Sequence, residues 1–99
     1  YAEVMPEFPG GMSEMIKFLQ ENMIYPDEMK ENGIEGRIYV QFVVTKTGSI
    51  EEVTIAKGIN GLNREAIRLV KQMPNWKPGT NYGKQVNVKM VIPILFSLK

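Results

Sequence analysis

Across residues 85–98 every even-numbered position is apolar (Val86, Val88, Met90, Ile92, Ile94, Phe96 and Leu98), and a proline, Pro93, lies inside the run. Alternation of this length predicts a β-strand with one buried face. Proline has no N–H for a ladder, so within sheets it is confined to edges, strand starts and bulges. Together these features predict that the last strand is an edge, at least over its C-terminal half. An exposed edge is an aggregation hazard unless covered or blunted, or else it is a template on which another strand docks. Pro93 is equally readable as the blunting device. Residues 90–96 are apolar on both faces: Val91, Pro93 and Leu95 fall opposite the core side, where Tyr39 and Val43 join them. That second face is therefore expected to be covered too. The first candidate cover is the segment 4–8 folding back across it, and the second is a partner chain or a dimer.

The rest of the chain supplies the strand with neighbours. Residues 1–11 contain Pro6, Pro9, Gly10 and Gly11 and read as an extended lead-in to a domain over residues 12–99. Apolar residues at Met12, Met15, Ile16, Leu19 and Met23 predict a helix over Met12–Asn22. Pro26 bars helix through Tyr25; a short helix, Asp27–Glu31, follows and ends at Asn32-Gly33. Residues 37–45 alternate, with Ile38, Val40, Phe42 and Val44 on one face. Residues 46–49 form a hairpin loop with Gly48 at positive φ. Residues 50–56 return as a strand, Val53 and Ile55 facing one way and Glu52 and Thr54 the other. A helix over residues 62–72 buries Leu62, Ala66, Leu69, Val70 and Met73, and Pro74 stops it. Residues 74–84, with the only tryptophan, Trp76, read as an irregular loop packed on the core. The order α-α-β-β-α-β defines an α+β class, with two to three helices on one face of a small three-stranded antiparallel sheet.

Composition excludes much chemistry. The chain has 99 residues and contains no Cys and no His, so disulfides, thiol catalysis, zinc fingers, Ser-His-Asp triads and His-ligated metals are all ruled out. A net charge of +1 leaves no basic footprint for nucleic acid. Gly33-Ile34-Glu35-Gly36 has the spacing of a nucleotide-clamping GxxG loop, but it joins a helix to a strand rather than two helices. Trp76, Tyr82 and Tyr25 lie in separate loops and read as packing residues rather than a stacking platform. Glu51 and Glu52, adjacent on a strand, are expected on opposite faces. Glu65 and Arg68 read as a surface helix pair worth a few tenths of a kcal/mol. No segment approaches the roughly 20 apolar residues of a membrane helix. The start at Tyr1, without initiator Met or signal-peptide pattern, reads as an excised domain or mature fragment. By residue chemistry alone this is a small binding module, not an enzyme, with no catalytic residue, metal or cofactor.

The punctuation of the chain is similar to that of a known family. In order come Pro6-x-Phe8-Pro9-Gly10-Gly11, Tyr25-Pro26, Gly33-x-x-Gly36, Thr47-Gly48-Ser49-Ile50, Glu65-Ala66-x-Arg68, Met73-Pro74-x-Trp76-x-Pro78-Gly79 and Pro93-Ile94-x-Phe96. This series, covering residues 3–98, resembles the TonB C-terminal domain family in its Bacteroidetes form. The resemblance implies a periplasmic domain of an inner-membrane-anchored energy transducer. Through its missing N-terminal part, ExbB and ExbD would supply the proton-motive force, and its partners would be TonB-dependent outer-membrane receptors. It further implies that a receptor's TonB box adds as a strand beside the last strand, at Val88, Lys89, Met90, Val91, Ile92 and Pro93. A second contact region would comprise Asn22, Tyr25, Pro26 and Glu28. In better-studied members a basic residue stands where this chain has Glu28, so a cognate receptor is expected to present Lys or Arg there. Two other readings are a periplasmic sensing or docking domain fused to a BlaR-type membrane metallopeptidase, and a strand-paired homodimerisation module.

Overall fold

The alternation over residues 37–45 settles where that strand must go. β1 (Gly36–Val44) is the middle strand of a three-stranded antiparallel sheet, and its side chains Ile38, Val40, Phe42 and Val44 are at 0% exposure. The computed structural model describes residues 2–98. β2 (Ile50–Lys57) flanks β1 on one side and β5 (Val88–Phe96) on the other, giving the order β2-β1-β5. α1 (Met12–Asn22), α2 (Asp27–Glu31) and α3 (Asn63–Lys71) contribute to a single core on the even-numbered face of β1. The expected α+β class and three-stranded sheet are present.

α3 buries the side chains its spacing predicts, Leu62, Ala66, Leu69, Val70 and Met73. Each fully buried apolar side chain of this size contributes about 1.5–3 kcal/mol of transfer free energy. α1 is narrower in its packing than expected. Met15 and Leu19, one turn apart, are buried and Phe18 stacks against Phe8, whereas Met12 (72% exposed) and Ile16 (47%) turn to solvent. β2 departs from strict alternation: Glu51 pairs with Val43 and Thr54 with Gln41, leaving Glu52 as part of a bulge at φ 53°. The bulge lets Ile50 and Val53, three apart, both pack against the core. Glu51 and Glu52 are therefore not an alternating pair of an ideal strand.

The last strand is also not continuous over residues 85–98. β3 (Gly79–Asn81) and β4 (Lys84–Val86) form a separate two-stranded hairpin, and the chain breaks at Asn87 before β5. Tyr82 (φ 52°) and Gly83 (φ 76°) make its two-residue turn, with both φ values positive as in a type I′ hairpin. At the break the Asn87 side-chain carbonyl accepts the Lys46 N–H at 2.7 Å, tying the junction to the β1–β2 loop. The stretch 74–84 is thus partly ordered as sheet.

The lead-in does not cross the open face of the sheet. Instead Val4 exchanges two backbone hydrogen bonds with Thr80, and Glu7 exchanges two with Lys77. It runs alongside β3 and delivers Phe8 into an aromatic cluster, where Phe8 meets Phe18 and Trp76, and Trp76 meets Phe42 edge-on at 5.4 Å. A Cβ on Gly79 would stand 2.8 Å from the Val4 carbonyl oxygen, so the lead-in fits only over glycine. Trp76 is further held by its backbone N–H, which donates to the Gly48 carbonyl at 2.8 Å.

Trp76→Ala is expected to cost about 3–5 kcal/mol in urea unfolding, whereas Tyr82→Ala, at an 85% exposed turn, should stay within about 0.5 kcal/mol.

Candidate functional site: the free edge of the last strand

The hydrogen-bond parity of β1 determines which peptide groups of β5 are free. In the β1–β2 hairpin the Thr45 N–H donates to the Ser49 carbonyl at 2.9 Å, so odd-numbered residues at this end of β1 bond towards β2. Even-numbered β1 residues then bond towards β5, where Val44 faces Val88, Phe42 faces Met90, Val40 faces Ile92 and Ile38 faces Ile94. Pro93 stands opposite Tyr39, in a non-hydrogen-bonded pair, and the register runs through it without a shift. Its missing N–H therefore points away from β1. The same parity turns outward the N–H and C=O of Lys89, Val91 and Leu95 and the C=O of Pro93.

No strand among the described residues pairs with this outer edge. The opposite edge of the sheet, along β2, is interrupted by two register shifts and carries Glu51, Glu52 and Lys57, the devices that blunt an edge. β5 is regular over its nine residues. Its outward peptide groups belong to the residues whose side chains lie on the helix-free face. Val91 (49% exposed) and Leu95 (57%) flank Pro93 there, beside the half-buried Tyr39 and Val43. The apolar stripe is open and contiguous with the free edge.

Of the six residues expected on the edge, Lys89, Val91 and Pro93 present outward groups. Val88, Met90 and Ile92 direct their peptide groups to β1 and their side chains to the core side, Val88 and Ile92 buried and Met90 half-buried. Leu95 was absent from that set. The alternation itself would have included it, since Leu95 shares the parity of Lys89 and Val91.

The second expected region sits at the other end of β5. The Tyr25 ring packs edge-on against Phe96 at 5.8 Å, and its hydroxyl donates to the Ile34 carbonyl. Phe96 lies eight residues beyond Val88, about 27 Å at a strand's rise. Tyr25 thus sits at the Phe96 end of the strand, apart from Lys89, and Asn22, Pro26 and Glu28 lie within three residues of it in the chain. Asn22 and Glu28 are exposed, Tyr25 and Pro26 half-buried. Beside Pro26 lies a shallow groove of about 540 Å³ lined by Asn60, Gly61, Asn63, Arg64, Glu65 and Arg68.

Glu65 and Arg68 hold this region in place, and they are not the surface pair their spacing suggested. Glu65 is 8% exposed. Its Oε2 accepts the Ile24 N–H at 2.7 Å, and Arg68 donates Nε to Oε1 at 2.7 Å and Nη2 to Oε2 at 2.5 Å. Arg68 Nη2 also reaches the Asn22 carbonyl at 2.8 Å, and Nη1 reaches Gln72 Oε1. The two side chains clamp the linker between α1 and α2 onto α3. Helix periodicity could not show this, because the linker groups are more than forty positions away. Partial burial, aided by the Glu35 carboxylate, pushes the Tyr25 phenol above its ordinary value of 10.0. No group of three or more acidic residues is placed to hold a metal ion among the described residues.

The comparisons with known proteins converge on one family. The pattern described as "Gram-negative bacterial TonB protein C-terminal" matches residues 21–98. Two solution NMR structures of the TonB C-terminal domain of Helicobacter pylori are similar to this chain. One has 26% identity and a TM-score of 0.64, covering 88% of this chain and 92% of that one. The other has 27% identity and a TM-score of 0.64, covering 92% and 87%. The TonB C-terminal domain of Pseudomonas aeruginosa, at 24% identity, TM-score 0.60 and coverage of 77% and 78%, shares the fold. The comparison with curated proteins returned no match. The chain belongs to the TonB C-terminal domain family. Domains of this family are periplasmic in Gram-negative bacteria and interact with outer-membrane receptors.

Two outcomes follow from the clamp and the tyrosine. Glu65→Ala strands the Ile24 N–H and Arg68 and is expected to cost about 2–3 kcal/mol in urea unfolding, the low end for a buried pair because Arg68 is partly exposed. Tyr25→Phe removes the bond to Ile34 and should cost about 0.5–1.5 kcal/mol at pH 7. A phenol whose folded pKa is raised contributes fully below its unfolded value and loses that contribution as pH rises through the folded one. The deficit of Tyr25→Phe, followed by urea unfolding across pH, should therefore shrink above pH 10.

Proposed function

We propose that this chain is the periplasmic C-terminal domain of a TonB-like energy transducer, and that it takes the TonB box of outer-membrane receptors as an added strand on the free edge of β5. The observation that carries this reading is the unpaired, regular edge of β5, with the peptide groups of Lys89, Val91 and Leu95 directed outward. An added strand would satisfy those groups and lay alternate side chains over the stripe of Val91, Pro93 and Leu95. Each backbone hydrogen bond nets about 0.5–1.5 kcal/mol, and ordering the incoming peptide offsets part of that gain. The complex should accordingly be modest in affinity and reversible, as suits a domain that engages and releases receptors in turn. The domain acts by binding, not by catalysis, and needs no cofactor.

In this reading ExbB and ExbD engage an inner-membrane-anchored part of the protein outside this chain and supply the proton-motive force, and the receptor strand on β5 receives the coupling. The region of Asn22, Tyr25, Pro26 and Glu28 contacts the receptor beside the Leu95 end of the edge. A strand touching both Lys89 and this region must run the length of β5. Glu28 is exposed in this region, and a receptor segment bearing Lys or Arg would pair with it. No feature of the structure favours the fused-peptidase or homodimer readings.

Titration of the labelled domain with a synthetic TonB-box peptide should shift the amide resonances of Lys89, Val91 and Leu95 more than those of β2, and a proline at the peptide's centre should abolish the shifts. A peptide that perturbs β2 or the Pro26 groove but leaves β5 silent would refute strand addition. Glu28→Arg should weaken binding of the cognate receptor's periplasmic segment; unchanged affinity would remove Glu28 from the contact.

A further inference from the structure

We propose that Pro93 is a specificity-determining residue of this edge, which penalises pairing of β5 with the β5 of a second copy twice as heavily as pairing with a foreign strand. The outward residues of β5 are Lys89, Val91, Pro93 and Leu95, and in an antiparallel ladder such residues pair with each other, exchanging two hydrogen bonds per pair. Two copies related by a two-fold axis overlap most when centred on Ile92, the midpoint of Val88–Phe96. That register sets each Val91 opposite the other copy's Pro93. Both Val91 carbonyls then lack a donor, next to the centre of the interface.

Sliding the copies does not remove the fault. Centred on Val91, Pro93 falls opposite the second copy's Lys89; centred on Pro93, the two prolines face each other. Either way two bonds are lost and the overlap is shorter. Among registers that keep at least two outward pairs, only the one centred on Met90 avoids Pro93 within the strand. It keeps just the Lys89–Val91 pairs and brings the two Lys89 side chains diagonally together on one face, where like charges repel. A foreign strand meets Pro93 once, so it forfeits a single bond, and nothing obliges it to set a second lysine near Lys89. Proline on an edge strand is a known guard against self-pairing. Here its position spares an asymmetric ligand while burdening the symmetric one.

The test restores the missing N–H with Pro93→Ala and Pro93→Val. One added hydrogen bond corresponds to about twofold to tenfold in an equilibrium constant. Self-association, read by sedimentation over a dilution series, should strengthen in both variants by about the square of the factor by which the same synthetic TonB-box peptide tightens in NMR titration. The peptide arm rests on the proposed function, and the self-association arm does not. A peptide that binds neither the parent domain nor the variants would refute strand addition as the function, while stronger self-association would still support the role of Pro93. A peptide that binds the parent domain, with both variants unchanged in peptide affinity and in self-association, would overturn the role of Pro93 and leave the function standing. Tightening by Pro93→Val but not Pro93→Ala would also overturn it, since apolar area rather than the N–H would then be the cause. So would a parent domain already dimeric through β5 at the lowest concentration.

Discussion

The structure depends on the burial of one face of β1. Ile38, Val40, Phe42 and Val44 have no exposure at all, and a 99-residue chain has only one core's worth of material with which to keep water from them. α3 lays Ala66, Leu69 and Val70 over that face, the aromatic cluster of Phe8 and Trp76 closes one end through Phe42, and Tyr25 closes the other through Phe96. Everything that caps this face is spent there. Among the described residues the opposite face receives no helix, and the lead-in pairs with Thr80 and Lys77 and commits Phe8 to the core instead of crossing it.

That allocation explains why the two sheet edges differ. β2 carries bulges and acidic side chains, so its outer edge is irregular and charged. β5 must stay in strict register with β1 for nine residues, because Val88, Ile92, Ile94 and Phe96 all contribute to the core. Regularity imposed from the inside makes the outside regular as well. The free edge of β5 is thus a by-product of packing, and Pro93 is accommodated there because its missing N–H falls on the side with no ladder to break.

The Glu65–Arg68 clamp holds the linker between α1 and α2 in a fixed place on α3. A carboxylate taken out of water is costly unless its lone pairs are satisfied. Glu65 meets that condition with the Ile24 N–H and two bonds from Arg68. The same arrangement holds Asn22 and the turn into Pro26 against α3, so the segment before α2 meets the end of β5 at a fixed place.

Much of this was legible from residue order. The alternation of residues 37–45, the i, i+3, i+4 pattern of α3, the stop at Pro74 and the turn glycines are local, and backbone sterics with apolar periodicity determine them whatever the rest of the chain does. So did Pro93 mark β5 as an edge, since a missing N–H is a property of the residue itself. Asn81-Tyr82-Gly83-Lys84 carried a hairpin signal as well, obscured by the apolar alternation that continues through Val86 on the far side of the break. What tertiary structure alone decided were the meetings of distant residues: Glu65 with Ile24, Asn87 with Lys46, Val4 with Thr80, and the bulge at Glu52 that keeps Ile50 and Val53 on one face. Each is a contact between groups far apart in the chain, or a local irregularity stabilised by such contacts, and no window of sequence contains both partners. The chain by itself determined the elements and which strand had an edge to offer; packing decided that this edge and the face beside it would be left uncovered, because the segments able to cover them were already committed to the core.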